Sequence, residues 1–140
     1  MTRNLETVQA IYQAFGQGDV PGILSKLAPQ VQWEAWPDHS AQAAGHPLFA
    51  PRSDPQGVAE FFRLVGEQVG IHEFKVLDIF GDGRQVAAEV VMDYSYQPTG
   101  RRIRDEELHL WTFGEDGKVT RFRHYIDTAK HLRAAGLLAA

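Results

Sequence analysis

The sequence predicts one α+β domain. Two patterns carry that reading. In the first half, apolar residues recur at helical spacing; in the second half they alternate as in strands, between turn signals. Size is the third observation. A chain of 140 residues, 44% of them hydrophobic, is enough for one core, and no linker, repeat or low-complexity tract divides residues 1–140.

Leu5, Val8, Ile11, Tyr12 and Phe15 fall on one side of a first helix. Asn4 is placed to cap it, Glu6 suits the positive end of its dipole, and Gly16 and Gly18 stop it. Asp19 caps a short second helix with Pro21 in its first turn and Val20, Ile23, Leu24 and Leu27 on one side; Pro29 ends it. Residues 31–36 alternate as a strand, with Val31, Trp33 and Ala35 on one face and Pro37 closing it. Residues 37–54 read as irregular, with His39, His46, Phe49 and Arg52 scattered in them: either a lid or binding loop, or a loose surface loop.

Asp54 and Pro55 open a third helix, whose stripe is Val58, Phe61, Phe62 and Val65 and which Gly66 and Gly70 end. Only strands follow. Residues 73–80 form one, turned at Gly81, Asp82 and Gly83; residues 85–96 form the next, turned at 97–100. Residues 105–126 form a hairpin with Gly114, Glu115, Asp116 and Gly117 as its loop. Asp127 and Thr128 then cap a tail helix through Leu132.

The hairpin carries the chemistry. If Phe113 pairs with Lys118, odd positions before the loop share a face with even positions after it. Glu107, His109, Trp111 and Phe113 then lie with Phe122, His124 and Ile126. Pairing Tyr96 with Arg101 adds Val86, Ala88, Val90, Met92 and Tyr94. An apolar face holding two histidines and an acid fits a small-molecule pocket. His109 and His124 titrate near neutrality, as proton transfer requires; the plainer reading is one hydrogen-bonded core histidine and one exposed. Glu107, opposite His124 in this register, either orients it like the acid of a triad or is a rim carboxylate paired with a cation.

The candidate catalytic residues are therefore His109, His124 and Glu107. Trp33, Val90, Met92, Tyr94, Trp111, Phe122 and Ile126 are the candidate lining of a cavity for an apolar or cyclic ligand. Burial should lower both imidazole pKa values while a charged Glu107 raises that of His124, so the two should titrate differently. The opposite face holds Glu106, Leu108, Leu110, Thr112, Val119, Arg121, Arg123, Tyr125 and Asp127. Ion pairing across strands suits its charges, and a helix cap suits Asp127.

Other classes are disfavoured. The net charge of −4 without a basic stripe argues against nucleic acid. With no cysteine there is no disulfide or thiol nucleophile, and His39, His46, His109 and His124 lack a metal-ligand spacing. No metal or cofactor is expected. The first residues lack the apolar core of a signal peptide and no apolar run approaches the ~20 residues of a membrane span, so a cytoplasmic protein without membrane contact is expected.

Residues 11–19, 31–33, 58–62 and 117–127 resemble the nuclear transport factor two-like superfamily, in its SnoaL-like, ketosteroid-isomerase-like branch. The resemblance covers nearly the whole chain. It implies a cone: a strongly curved, mainly antiparallel mixed sheet wrapped around three N-terminal helices, with a pocket at the open end. It also implies homodimers that pair through the outer sheet face. It points to isomerase, cyclase or hydrolase chemistry without a cofactor, or to simple ligand binding, because this fold hosts all of them. The steroid isomerases' general base falls at Ala35, their helix tyrosine at Ile11 and their proton-donating Asp at His109. The epoxide hydrolases' triad falls at Val90, Met92 and His124. The polyketide cyclases' His falls at His109 and their Asp at His124, an Asp-to-His change that still leaves the best agreement of the three.

Overall fold

The computed structural model describes residues 2–81 and 83–138. Five strands form one sheet in the order β1-β5-β4-β3-β2: β1 (Leu27–Trp33), β2 (Val69–Gly81), β3 (Gln85–Tyr96), β4 (Arg101–Phe113) and β5 (Val119–Tyr125). β1 runs parallel to β5; every other pair is antiparallel. Five α-helices accompany them: α1 (Thr2–Gly16), α2 (Val20–Leu24), α3 (Ser40–Ala43), α4 (Pro55–Gln68) and α5 (Thr128–Ala134). The sheet is not closed into a barrel; it is the mixed sheet of the expected cone. Two irregularities in the β2–β3 ladder, after Ile71 and after Val76, supply the extra residues that bend long strands.

The caps are local chemistry. Asp19 Oδ1 accepts from Gly22 N–H at 3.0 Å, and Asp54 Oδ1 from Gly57 N–H at 2.7 Å. Asp127 caps α5 through Lys130 N–H, as expected. Several boundaries differ from the sequence reading. α2 stops at Leu24, and Pro29 lies inside β1. Proline has no N–H for a ladder, and the β1–β5 register is interrupted between Leu27 and Gln32, where Pro29 sits. β1 ends at Trp33 instead of running to residue 36, because Glu34 takes a left-handed conformation (φ 60°). α4 continues through Gly66, and β2 starts at Val69. The turn expected at Gly81, Asp82 and Gly83 includes Asp82, which lies outside the described residues.

The concave face has two halves. Over one, α1, α2 and α4 bury Val8, Ile11, Ile23 and Val58 against Val31, Trp33 and Trp111. Over the other, Ala41, Leu48 and Phe49 join Leu132 and Ala134 of α5 against Tyr94 and Tyr96. Residues 37–54 are thus no loose loop. They hold α3, a 3₁₀ turn at Pro47–Phe49 and a bridge from Arg52 to Trp33.

The hairpin register needs one correction. Phe113 pairs with Val119, not Lys118, and a further irregularity puts Thr112 opposite Arg121. Two one-residue offsets cancel in parity, so the faces are as expected, but each pairing is two residues away. His109 stands across from His124 and Trp111 from Phe122; Glu107 does not face His124. Val119, next to the irregularity, turns inward and is wholly buried instead of lying on the outer face.

Candidate active site

A cavity lies between the sheet and the helices. α1 supplies Ile11, Tyr12 and Phe15, α2 supplies Ile23, and α4 supplies Phe61, Phe62 and Val65. The sheet supplies Trp33, Phe74, Met92, Glu107, His109, Trp111, Phe122 and His124. About 90 Å³ of it is open to the centre of a water molecule. One water needs ~10–15 Å³ by that measure, so the space suits a small ring compound. Its wall is almost wholly apolar.

Of the expected lining residues, Trp33, Met92, Trp111 and Phe122 stand on this wall. Val90, Tyr94 and Ile126 do not. Val90 shares the face but is completely buried. Tyr94 packs in the second half of the concave face, its hydroxyl 2.8 Å from His131 Nδ1. Ile126, beyond the end of β5, borders a separate outer groove with Trp36, His39 and Ser40. The concave face is longer than the cavity, and the segment 37–54 with α5 fills its far end. His124 borders both the cavity and the outer groove.

All three candidate catalytic residues are buried on the cavity wall. The His109 and His124 rings are 5.5 Å apart and perpendicular. Their partners differ. Glu107 Oε1 lies 3.0 Å from His109 Nε2, and the Tyr12 hydroxyl 2.6 Å from His109 Nδ1. A carboxylate only accepts, so Nε2 carries the proton and Tyr12 donates to Nδ1. Trp111 Nε1–H in turn donates to the Tyr12 oxygen at 3.1 Å. Both nitrogens of His109 are thereby engaged.

His124 is held by Glu34 instead. Its Nδ1 is 2.5 Å from Glu34 Oε2, and its backbone N–H donates to Glu34 Oε1 at 2.9 Å. Its Nε2 makes no hydrogen bond among the described residues. Glu107 also reaches His131 Nε2 at 3.4 Å, which sits 2.7 Å from Asp105 Oδ2.

Charge follows from these partners. Burial disfavours the Glu34 carboxylate, but the charge and hydrogen bonding of His124 outweigh it and hold its pKa down to about 2. Burial disfavours the His124 imidazolium, yet Glu34 outweighs it and raises the pKa to about 9. His109 goes the other way: burial lowers it, and the cation on His124 adds to that against the pull of Glu107. Burial, again opposed, leaves Glu107 well below the usual carboxylate range because His109 and His131 hydrogen-bond to it. Burial is likewise outweighed at His131, which its two carboxylates raise. The shifts of the two cavity histidines thus run in opposite directions, and the carboxylate that charges His124 is chiefly Glu34, not Glu107.

Several network residues lay outside the sequence reading. Asp105 has the same strand parity as Glu107 and His109, and parity alone could have found it. Tyr12 reads from its spacing as packing, but its hydroxyl makes it the polar-headed member of an apolar stripe. His131 lies one turn from Asp127 on α5 and had no separate signal. Glu34 was unreachable by parity, which points it outward; only its left-handed backbone turns it in. His39 and His46 are caps: Nδ1 of each accepts a backbone N–H, from Gln42 at 3.4 Å and from Leu48 at 3.3 Å.

Asp105, Glu107 and His131 offer ligand atoms that all lie within 4.8 Å of one another. A divalent cation there would have to displace the His131 proton that now bridges the two acids.

Comparison with known proteins assigns the family. A model of the SnoaL-like domain matches residues 8–122, and the chain belongs to that family, within the nuclear transport factor two-like superfamily. No curated protein matches the sequence. Among solved structures, a nuclear transport factor two-like protein of unknown function from Burkholderia pseudomallei is 28% identical, with a TM-score of 0.77 over 96% of this chain and 98% of that one. A protein from Xanthomonas campestris pv. campestris, provisionally named a polyketide cyclase, is 20% identical, with a TM-score of 0.73 over 95% and 96%. An LEH-like epoxide hydrolase from M. tuberculosis is 20% identical, with a TM-score of 0.69 over 96% and 90%. No helix is long and apolar enough to cross a membrane among the described residues.

Proposed function

We propose that this protein performs cofactor-free acid–base chemistry on a small apolar cyclic molecule, of the isomerase or cyclase kind found in SnoaL-like proteins. One observation carries the reading: His124 sits on the wall of an apolar cavity with a buried carboxylate 2.5 Å behind its Nδ1. That pairing keeps the ring protonated and leaves Nε2 free to donate to a ligand oxygen. Glu34 is the tuning acid. His109, neutral and fixed by Tyr12 and Glu107, shapes the polar end of the cavity and can exchange a proton only by breaking one of those bonds. Val90 and Met92 stand where the epoxide hydrolases carry an arginine and an acid, so that triad cannot operate here.

A second reading is a ligand-binding protein without catalysis. It is favoured by the saturation of His109 and by the near absence of polar wall. Native mass spectrometry of the purified protein, followed by incubation with each captured compound, separates the two. A captured cyclic compound that is converted, with loss of conversion in His124→Ala, supports catalysis. A captured compound that is returned unchanged supports binding alone.

A further inference from the structure

We propose that Gln42 is a positioning residue: it holds Glu34 in the strained backbone conformation that places its carboxylate on His124. The proposal rests on the reading of His124 as the proton-handling group. Glu34 is completely buried and is a non-glycine residue at φ 60°, a conformation that persists only when its surroundings over-determine it. Three contacts do so. Its N–H donates to Phe122 O at 2.9 Å, its Oε1 accepts from His124 N–H, and its carbonyl accepts from the Gln42 side-chain amide. The first two come from β5, the strand that carries His124. The third is the only one of these from α3, and it ties the Glu34 carbonyl to the segment that covers the turn after β1.

α3 is only four residues long and would not persist unaided. His39 begins it, accepting from Gln42 N–H through Nδ1. In the neutral ring Nε2 then carries the proton, and it lies 3.9 Å from Glu34 Oε2. The start of α3 therefore meets Glu34 at its carbonyl and near its carboxylate. Without the Gln42 amide, the buried carbonyl loses its donor and the turn can relax toward ordinary φ. Relaxation would withdraw the carboxylate from His124, since strand parity otherwise sends residue 34 outward. Other groups around His124 stay in place: Asp105, Glu107 and His109 on β4, His131 on α5, and His46 and Phe49 on the covering segment.

The test is an NMR titration of the intact chain labelled with ¹⁵N-histidine, as wild type, Gln42→Leu and Ser40→Ala. Gln42→Leu should lower the His124 midpoint by about one pH unit, a tenfold loss of proton affinity. Ser40→Ala, in the same helix, should leave it unchanged. A Gln42→Leu protein that melts earlier but keeps the wild-type midpoint would overturn the proposal, since a merely structural residue behaves that way. If Gln42→Leu does not fold, Gln42→Ala is read by the same two outcomes. Glu34→Gln separates the underlying reading. A midpoint lowered by Glu34→Gln but not at Gln42 defeats the positioning role alone; a wild-type midpoint near 6.5 defeats both.

Discussion

Glu34 and His124 are 90 residues apart in the chain and meet through both carboxylate oxygens, one on the backbone N–H and one on the ring. The pair joins the end of β1 to β5 at the point where their parallel ladder stops. It is also where the apolar cavity gives way to the titratable network.

Removing the acid should have a signed pH signature. His124 is raised, so its contribution is complete below about 6.5 and is lost as pH climbs through about 9. Glu34 is lowered, so its contribution is present above about 4.5 and is lost as pH falls toward about 2. These are two views of one pair and count once. Glu34→Gln leaves an unpaired buried imidazole and should cost about 3 kcal/mol near pH 6. Urea unfolding across pH should show the difference from wild type shrinking in both windows.

Tyr12→Phe should be costly for so small a change. It leaves His109 Nδ1 without a donor and Trp111 Nε1–H without an acceptor. Buried groups abandoned in this way cost roughly 1–3 kcal/mol in all. Thermal unfolding checks this, and Tyr96→Phe is the control, since among the described residues the Tyr96 hydroxyl hydrogen-bonds only to Gln68, at 3.2 Å.

The cavity can be blocked without touching the network. Val65 faces it from α4, and Val65→Phe should reduce capture of any small cyclic ligand at least about tenfold. The His124 titration should not change. Fluorescence of a bound apolar dye and the imidazole NMR signals measure the two effects.

The outer face should pair two copies. Leu108 and Tyr125 are about 40% exposed there, alongside Arg102–Asp93 and Arg104–Glu73 ion pairs. Apolar residues ringed by charges suit a mixed interface. Light scattering should give a dimer for wild type and a monomer for Leu108→Glu; a wild-type monomer at all concentrations would reject it.

How much was legible in the sequence depended on which physics set each feature. Helical spacing located α1, although Asn4 does not cap it: the helix starts at Thr2 and the Asn4 amide donates to Gly83 O at 2.7 Å. The Asp54 and Asp127 caps located α4 and α5, because those signals are local. Strand parity put His109 and His124 on one face even though the pairing was two residues off. It failed at Val119 and Glu34, where a ladder irregularity and a left-handed residue break the alternation. Residues 37–54 were hidden for another reason. Their order comes from burying Ala41, Leu48 and Phe49 against α5 and from histidine caps, neither of which has a periodic signature.

On the proposed reading, Glu34 holds His124 as a cation on the apolar wall while burial holds its neighbour His109 neutral. NMR titration of the ring nitrogens measures this directly. The His124 midpoint should lie near 9 and that of His109 below 6.5, its ordinary value. Two overlapping curves near 6.5 would contradict it.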